Sequence, residues 1–280
     1  MRASFHFLLI VGCSLTSIPL SAMPIQDTSP AKVSGDINAA LTAARADNKD
    51  KRFGGAEALM LPITASQPEL ILPWIELGTA QIGLKKYADA EKSFKIALGI
   101  DPESLKKLHS DDFYAPEGAN SIAPNATRAS RNTAGGTVSN AGARTPQIKG
   151  VSYASLGEIY IKTGKTDEAE KAFDEAVEAN PADAPLYRGN ETIYFFQTGN
   201  ADGQLLAAEK AIAVDPNRAM LYYFKGQALV GKSTIDPKTQ KMQLPPGCAE
   251  AYRKYLALEP KGQFSADAKG VLAAAGLPLK

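Results

Sequence analysis

Residues Gly226-Gln-Ala-Leu-Val-Gly231-Lys232-Ser233 satisfy the spacing G-x-x-x-x-G-K-[ST]. That spacing serves phosphate binding when free backbone N–H groups wrap the anion between a strand and a helix. Here the four intervening residues continue a helical pattern, and Ile235-Asp236-Pro237 stands where the following helix would begin, so the match is read as chance. Cys248 and His109 are the one cysteine and one histidine beyond residue 22, a conceivable nucleophile and base. They are read instead as a helix-start cysteine and a solvated histidine, and one histidine cannot form a pair on a metal. Asp111-Asp112 offers two carboxylates for a cation, but adjacent acids in a polar loop are read as solvated. Asn125-Ala126-Thr127 and Asn190-Glu191-Thr192 match a glycosylation sequon, the second on a predicted helix. No catalytic residue, cofactor or metal ligand is therefore expected.

The elements around these residues are helical. Ala169, Ala172, Phe173, Ala176 and Val177 recur at spacings of three and four, with Glu168, Glu170, Lys171, Asp174, Glu175 and Glu178 on the remaining face. This predicts an amphipathic helix that starts at Thr166 or Asp167, side chains that accept from free helix N–H groups, and stops before Pro181. A preceding helix, roughly Ser152 to Thr163, ends at Gly164. Gly157 inside that helix costs about 1 kcal/mol against alanine. Close approach of the partner helix, with Ala169 and Ala176 opposite, supplies the reason.

The same arrangement occurs twice. Trp74, Leu77, Gly78, Ala90, Phe94, Ala97 and Pro102 reappear as Tyr153, Leu156, Gly157, Ala169, Phe173, Ala176 and Pro181, with Tyr160 added in the second copy and Gln81 in its place in the first. On these residues the chain resembles the tetratricopeptide repeat family, with its 34-residue helix-turn-helix unit. The resemblance implies an all-α fold, an alpha-alpha superhelix of about five repeats.

The repeats are uneven. Residues 185 to 218 keep Phe195, Gly199, Ala211 and Pro216, but Thr192 replaces the packing glycine, Gln204 an alanine and Ala208 the phenylalanine, which predicts looser packing. Residues 219 to 262 carry about ten extra residues within 230–247, read as a loop insertion. Residues 37 to 70 retain only Ala56, Met60 and Pro68, a degenerate first repeat. The run Ser265 to Ala275 reads as a capping helix within a 263–280 tail. The expected organisation is two repeats over 37–104, three over 150–262, and a low-complexity linker over 105–149. From Gly118 to Ile148, 24 of 31 residues are Gly, Ala, Asn, Ser, Thr or Pro, a composition expected to be disordered.

Residues 1–22 hold Arg2, an apolar run from Phe5 to Leu20 and then Ser21-Ala22, which resembles a secretory signal peptide followed by a flexible 23–36 tail. Two processing routes stay open beside no processing at all. Cleavage after Ala22 would release a periplasmic or extracellular protein; Ile10-Val11-Gly12-Cys13 resembles a lipobox, in which case Cys13 is acylated and ties the chain to a membrane. Without residues 1–22 the chain carries 30 basic and 30 acidic residues, since Arg2 is the one charge removed from 31 and 30. That balance argues against a nucleic-acid partner.

In the tetratricopeptide family the first helix of each repeat lines a groove that holds a peptide or partner helix. Carried onto this chain, the resemblance implies a lining of Leu72, Ile75, Thr79 and Ile82; Val151, Ala154, Glu158 and Ile161; Leu186, Ile193 and Phe196; and Tyr223 and Gln227. Ile82, Ile161 and Phe196 serve equally well as packing between helices. Ile75, Thr79, Ala154 and Glu158 stand where chaperone-adaptor members place their carboxylate clamp, so a hydrophobic segment is expected in place of an acidic chaperone tail. The resulting expectation is an exported, non-catalytic scaffold for a protein or peptide partner, with two alternatives: a lipid-anchored structural component of an envelope assembly machine, or an enzyme with a site in the 105–149 segment or the 230–247 loop.

Overall fold

A computed structural model describes residues 37–101 and 144–279. Its helices pack in successive pairs: α1 (Ile37–Lys49) on α2 (Phe53–Ser66), α3 (Ile71–Gly83) on α4 (Tyr87–Leu98), and α5 (Pro146–Lys162) on α6 (Thr166–Ala179). Beyond a single 3-10 turn at Pro181–Asp183 follow α7 (Ala184–Thr198) on α8 (Ala201–Val214), α9 (Ala219–Val230) on α10 (Cys248–Leu258), and a final α11 (Ser265–Ala274). The second helix of each of the first four pairs also packs on the first helix of the next. The fold is the all-α array of helix-turn-helix repeats expected from the sequence.

The first four turns use one device. Lys51, Lys85, Gly164 and Gly199 hold the fifteenth place of their repeats in the left-handed region, at φ of 61°, 60°, 76° and 71°. The next N–H then returns to the carbonyl five residues earlier, as from Lys86 to Gln81 and from Lys165 to Tyr160, both at 2.8 Å. This satisfies carbonyls that a helix end would leave free.

Within a pair, a glycine on the first helix meets a ring on the second. A Cβ on Gly78 would lie 2.7 Å from the Phe94 ring, and one on Gly157 would lie 2.5 Å from Phe173. Leu77, Ala90, Phe94, Ala97, Leu156, Ala169, Phe173 and Ala176 are all buried. Trp74, Tyr153 and Tyr160 are half-buried, Pro181 is exposed, and Pro102 lies outside the described residues.

In the fourth pair the device is inverted. Phe195 of α7 is the ring, and Gly203 of α8 is the glycine, where a Cβ would fall 2.7 Å from Cδ1. The looser packing expected from Thr192 and Ala208 is therefore offset, since Phe195 is fully buried.

Between the second and third pairs the array continues without a break. Ala90, Phe94 and Leu98 of α4 form one core with Leu156, Ile159 of α5 and Ala172 of α6. Tyr160 donates to the Glu91 carboxylate at 3.2 Å, and Arg144 donates from Nε to the Ala97 carbonyl at 2.9 Å. The expected linker boundary at residue 149 is corrected here: Thr145 caps α5 by accepting from the Ile148 N–H, and Pro146 occupies its first turn. The other residues read as linker, 105–143, lie outside the described residues, as do the signal peptide, the tail to 36 and Cys13.

The insertion between α9 and α10 is a short antiparallel hairpin, β1 (Thr234–Ile235) with β2 (Met242–Gln243), not an irregular loop. Asp236 holds its turn by accepting from the N–H groups of Lys238 and Thr239.

Candidate functional site

The groups that invited a chemical reading are occupied in packing. Gly226 to Val230 form the end of α9, so their N–H groups are spent inside a helix, and Lys232 pairs with Asp202 at 2.7 Å. Cys248 is buried, donates to the Gly226 carbonyl, and burial pushes its thiol up to about 11. A thiol in that state is a poor nucleophile at neutral pH. Asp111-Asp112 and His109 lie outside the described residues. Among the described residues no His, Cys, Asp or Glu cluster is placed to hold a metal, and no helix is long and apolar enough to cross a membrane.

The surface offered by the first helices remains. α3, α5, α7 and α9 contact one another in sequence, so residues at one register position of each repeat form a row across them. The second position of each repeat gives Leu72, Val151, Leu186 and Met220. Val151 is 42% exposed and Leu186 52%. Leu72 and Met220 are half-buried at the ends of the row. Met220 is absent from the sequence-based lining, although its place in the 34-residue register was a sufficient signal.

The remaining expected residues separate into two groups. Ile75 and Ile82 are half-buried against the core shared by α4, α5 and α6, and the Thr79 hydroxyl donates back to the Ile75 carbonyl. Ala154, Ile193 and Phe196 are half-buried too, Phe196 with its ring 4.9 Å from Phe224. Three residues are corrected. Ile161 is buried in the core with Phe173 and Tyr187. Tyr223 is buried under Phe264, with the rings stacked at 4.1 Å, and donates to Asp267 at 3.0 Å. Burial and that carboxylate push its hydroxyl up to about 12. Gln227 is partly exposed, yet its side-chain oxygen accepts from Gln204 at 2.7 Å, so it is committed internally.

Thr79, Ile82 and Glu158 meet in a pocket of about 340 Å³ at the junction of the second and third repeats. α2 contributes Phe53, α3 adds Gly83, the turn and start of α4 add Lys85 and Tyr87, and α5 adds Ser155 and Lys162. Phe53 lies flat enough on Gly83 to leave no room for a Cβ there. Glu158 binds Lys162 at 2.7 Å and accepts from Tyr194, whose hydroxyl is pushed upward first by burial and then by that carboxylate.

Behind α7 lies an ion cluster that the repeat pattern did not announce. Arg188 donates to Glu191 at 2.9 Å and also to Asp174, which Lys210 contacts at 3.2 Å. Arg188 and Glu191 occupy the places held by Trp74 and Leu77, or by Tyr153 and Leu156, in the better repeats. Glu191 is fully buried with one carboxylate oxygen unpartnered, and loss of water pushes its pKa up to about 7.

A tetratricopeptide repeat family model matches residues 151–183, the repeat formed by α5 and α6. No curated protein matches the chain. Among solved structures, the MamA protein is similar at 15% identity over 80% of this chain and 92% of that one, with a TM-score of 0.49. YrrB, described as a TPR protein with an unusual peptide-binding site, is similar at 16% identity over 84% and 92%, TM-score 0.47. The TPR2AB domain of yeast Sti1, in a complex with pHSP90, is similar at 14% identity over 87% and 86%, TM-score 0.33.

Proposed function

We propose that this tetratricopeptide-repeat protein is a non-catalytic binding module of the cell envelope that holds a peptide or partner protein on the face of its first helices. The observation that carries the reading is the row Leu72, Val151, Leu186 and Met220, in which Val151 and Leu186 are exposed. Burying the exposed half of such side chains against a partner is favourable by about 1 kcal/mol each. Repeat arrays present surfaces of this kind along their length. The leader-like residues 1–22 are what support work outside the cytoplasm.

The test is co-purification from the native host with wild type and a Val151→Glu, Leu186→Glu variant. Both positions are exposed, so the variant is expected to keep its helical content and melting temperature. Partners held by wild type and lost by the variant are the expected result; equal retention by both removes the row from the binding surface. Intact mass of the mature chain decides the export route. A start near Met23 gives the soluble form, and an acylated Cys13 gives the membrane-tied one.

A further inference from the structure

The junction pocket combines apolar and charged side chains. Phe53, Ile82 and Tyr87 supply the apolar side, and Lys85, Ser155 and Lys162 supply donors. Glu158, the single acid of the lining, is already held by Lys162 and Tyr194. Lys85 is exposed and, among the described residues, forms no ion pair.

The backbone at Lys85 points the same way. It sits at φ 60°, in a place where later repeats have Gly164 and Gly199. A side chain there is disfavoured by the close approach of Cβ to the next carbonyl. Lys51 holds the same place one repeat earlier but does not line the pocket.

Resting on the groove reading above, we propose that this pocket selects an acidic side chain in the bound partner segment. The carboxylate meets Lys85 Nζ with the Ser155 hydroxyl and Lys162 alongside, while a large apolar neighbour in the segment covers Phe53, Ile82 and Tyr87. Charge complementarity carries the choice: among the described residues, the pocket presents one unpaired cation and no unpaired anion.

The experiment is selection of a displayed random peptide library on the full chain, as wild type and as Lys85→Gly, Lys85→Glu and Lys51→Gly variants. Wild type is expected to enrich Asp or Glu beside Leu, Phe or Tyr by about fivefold, the scale of one exposed ion contact. Lys85→Gly should erase that enrichment while raising the melting temperature. Lys85→Glu should turn the preference to Lys or Arg. Lys51→Gly should raise the melting temperature and leave the enrichment intact. Apolar peptides selected without an acidic preference, or a preference unchanged in Lys85→Gly, overturn the pocket proposal alone. Failure of wild type to select any peptide overturns both the pocket and the peptide-groove reading beneath it.

Discussion

Phe195 and Gly203 exchange the parts that Gly157 and Phe173 play one repeat earlier: the ring comes from the first helix and the bare backbone from the second. Either arrangement brings two helix axes close enough to exclude water, because one partner lacks a Cβ. Gly203→Ala is therefore expected to destabilise the chain by about 1–3 kcal/mol through overpacking, despite alanine's better helix propensity. Phe195→Ala should cost about 3–5 kcal/mol. Urea unfolding of both variants checks this; a stabilised Gly203→Ala would mean that the ring has room to move.

Arg188 and Glu191 put an ion pair where two other repeats place a half-buried aromatic ring and a buried leucine. Buried pairs recover little of their desolvation cost, so Arg188→Tyr with Glu191→Leu is expected to be neutral or stabilising by about 1–4 kcal/mol. Arg188→Ala alone should be destabilising, since it strands the Glu191 carboxylate. A double variant less stable than either single one, in a thermal melt, would give the pair a stabilising role.

The same carboxylate makes a pH prediction. Burial raises Glu191 from 4.5 to about 7, with Arg188, Lys210 and Asp174 facing it. The folded state thus keeps a proton that the unfolded state has released across that window. Stability contributed by this group is present at low pH and is lost as pH rises through the window. Relative to wild type, Glu191→Gln should gain roughly 1 kcal/mol per pH unit between about pH 5 and 7. Denaturant titrations at four pH values check the slope, and a constant difference contradicts it.

Trp74 Nε1 donates to the Pro68 carbonyl at 2.9 Å, and the Tyr222 hydroxyl does the same to Pro216 at 2.9 Å. Each bond joins an aromatic at the fourth position of one repeat to the closing proline of the repeat before. Trp74→Phe is expected to cost about 1 kcal/mol, the net value of such a bond. Trp74→Ala should cost about 2–3 kcal/mol, below the figure for a fully buried tryptophan. Identical losses in the two variants would assign the whole effect to the bond.

The second and third repeats were legible in the sequence because Leu77, Gly78, Phe94 and their counterparts Leu156, Gly157, Phe173 are fixed by packing volume. The fourth was harder to read. Its Arg188, Glu191 and Thr192 abandon the apolar code while satisfying the same space, and its glycine moved to the other helix. The start of α5 was missed because Thr145-Pro146 closes a run of small polar residues that obscures a capping signal.

For the groove, sequence position placed residues on the first helices but not their depth. Tyr223 was expected on an open face, and Phe264 covers it; that cover comes from a segment outside the repeat, to which a 34-residue register is blind. Ile161 faces the neighbouring helix pair, a direction that depends on how repeats rotate against each other. Val151 and Leu186 carry the opposite lesson, since none of the described residues covers them.

The joint between α4 and α5 closes on its own contacts: a shared apolar core, the Tyr160 bond to Glu91, and Arg144 on the Ala97 carbonyl. Residues of the second and third repeats therefore meet directly, side chain on side chain and side chain on backbone. The third repeat docks on the second as though the chain had passed directly from one to the other.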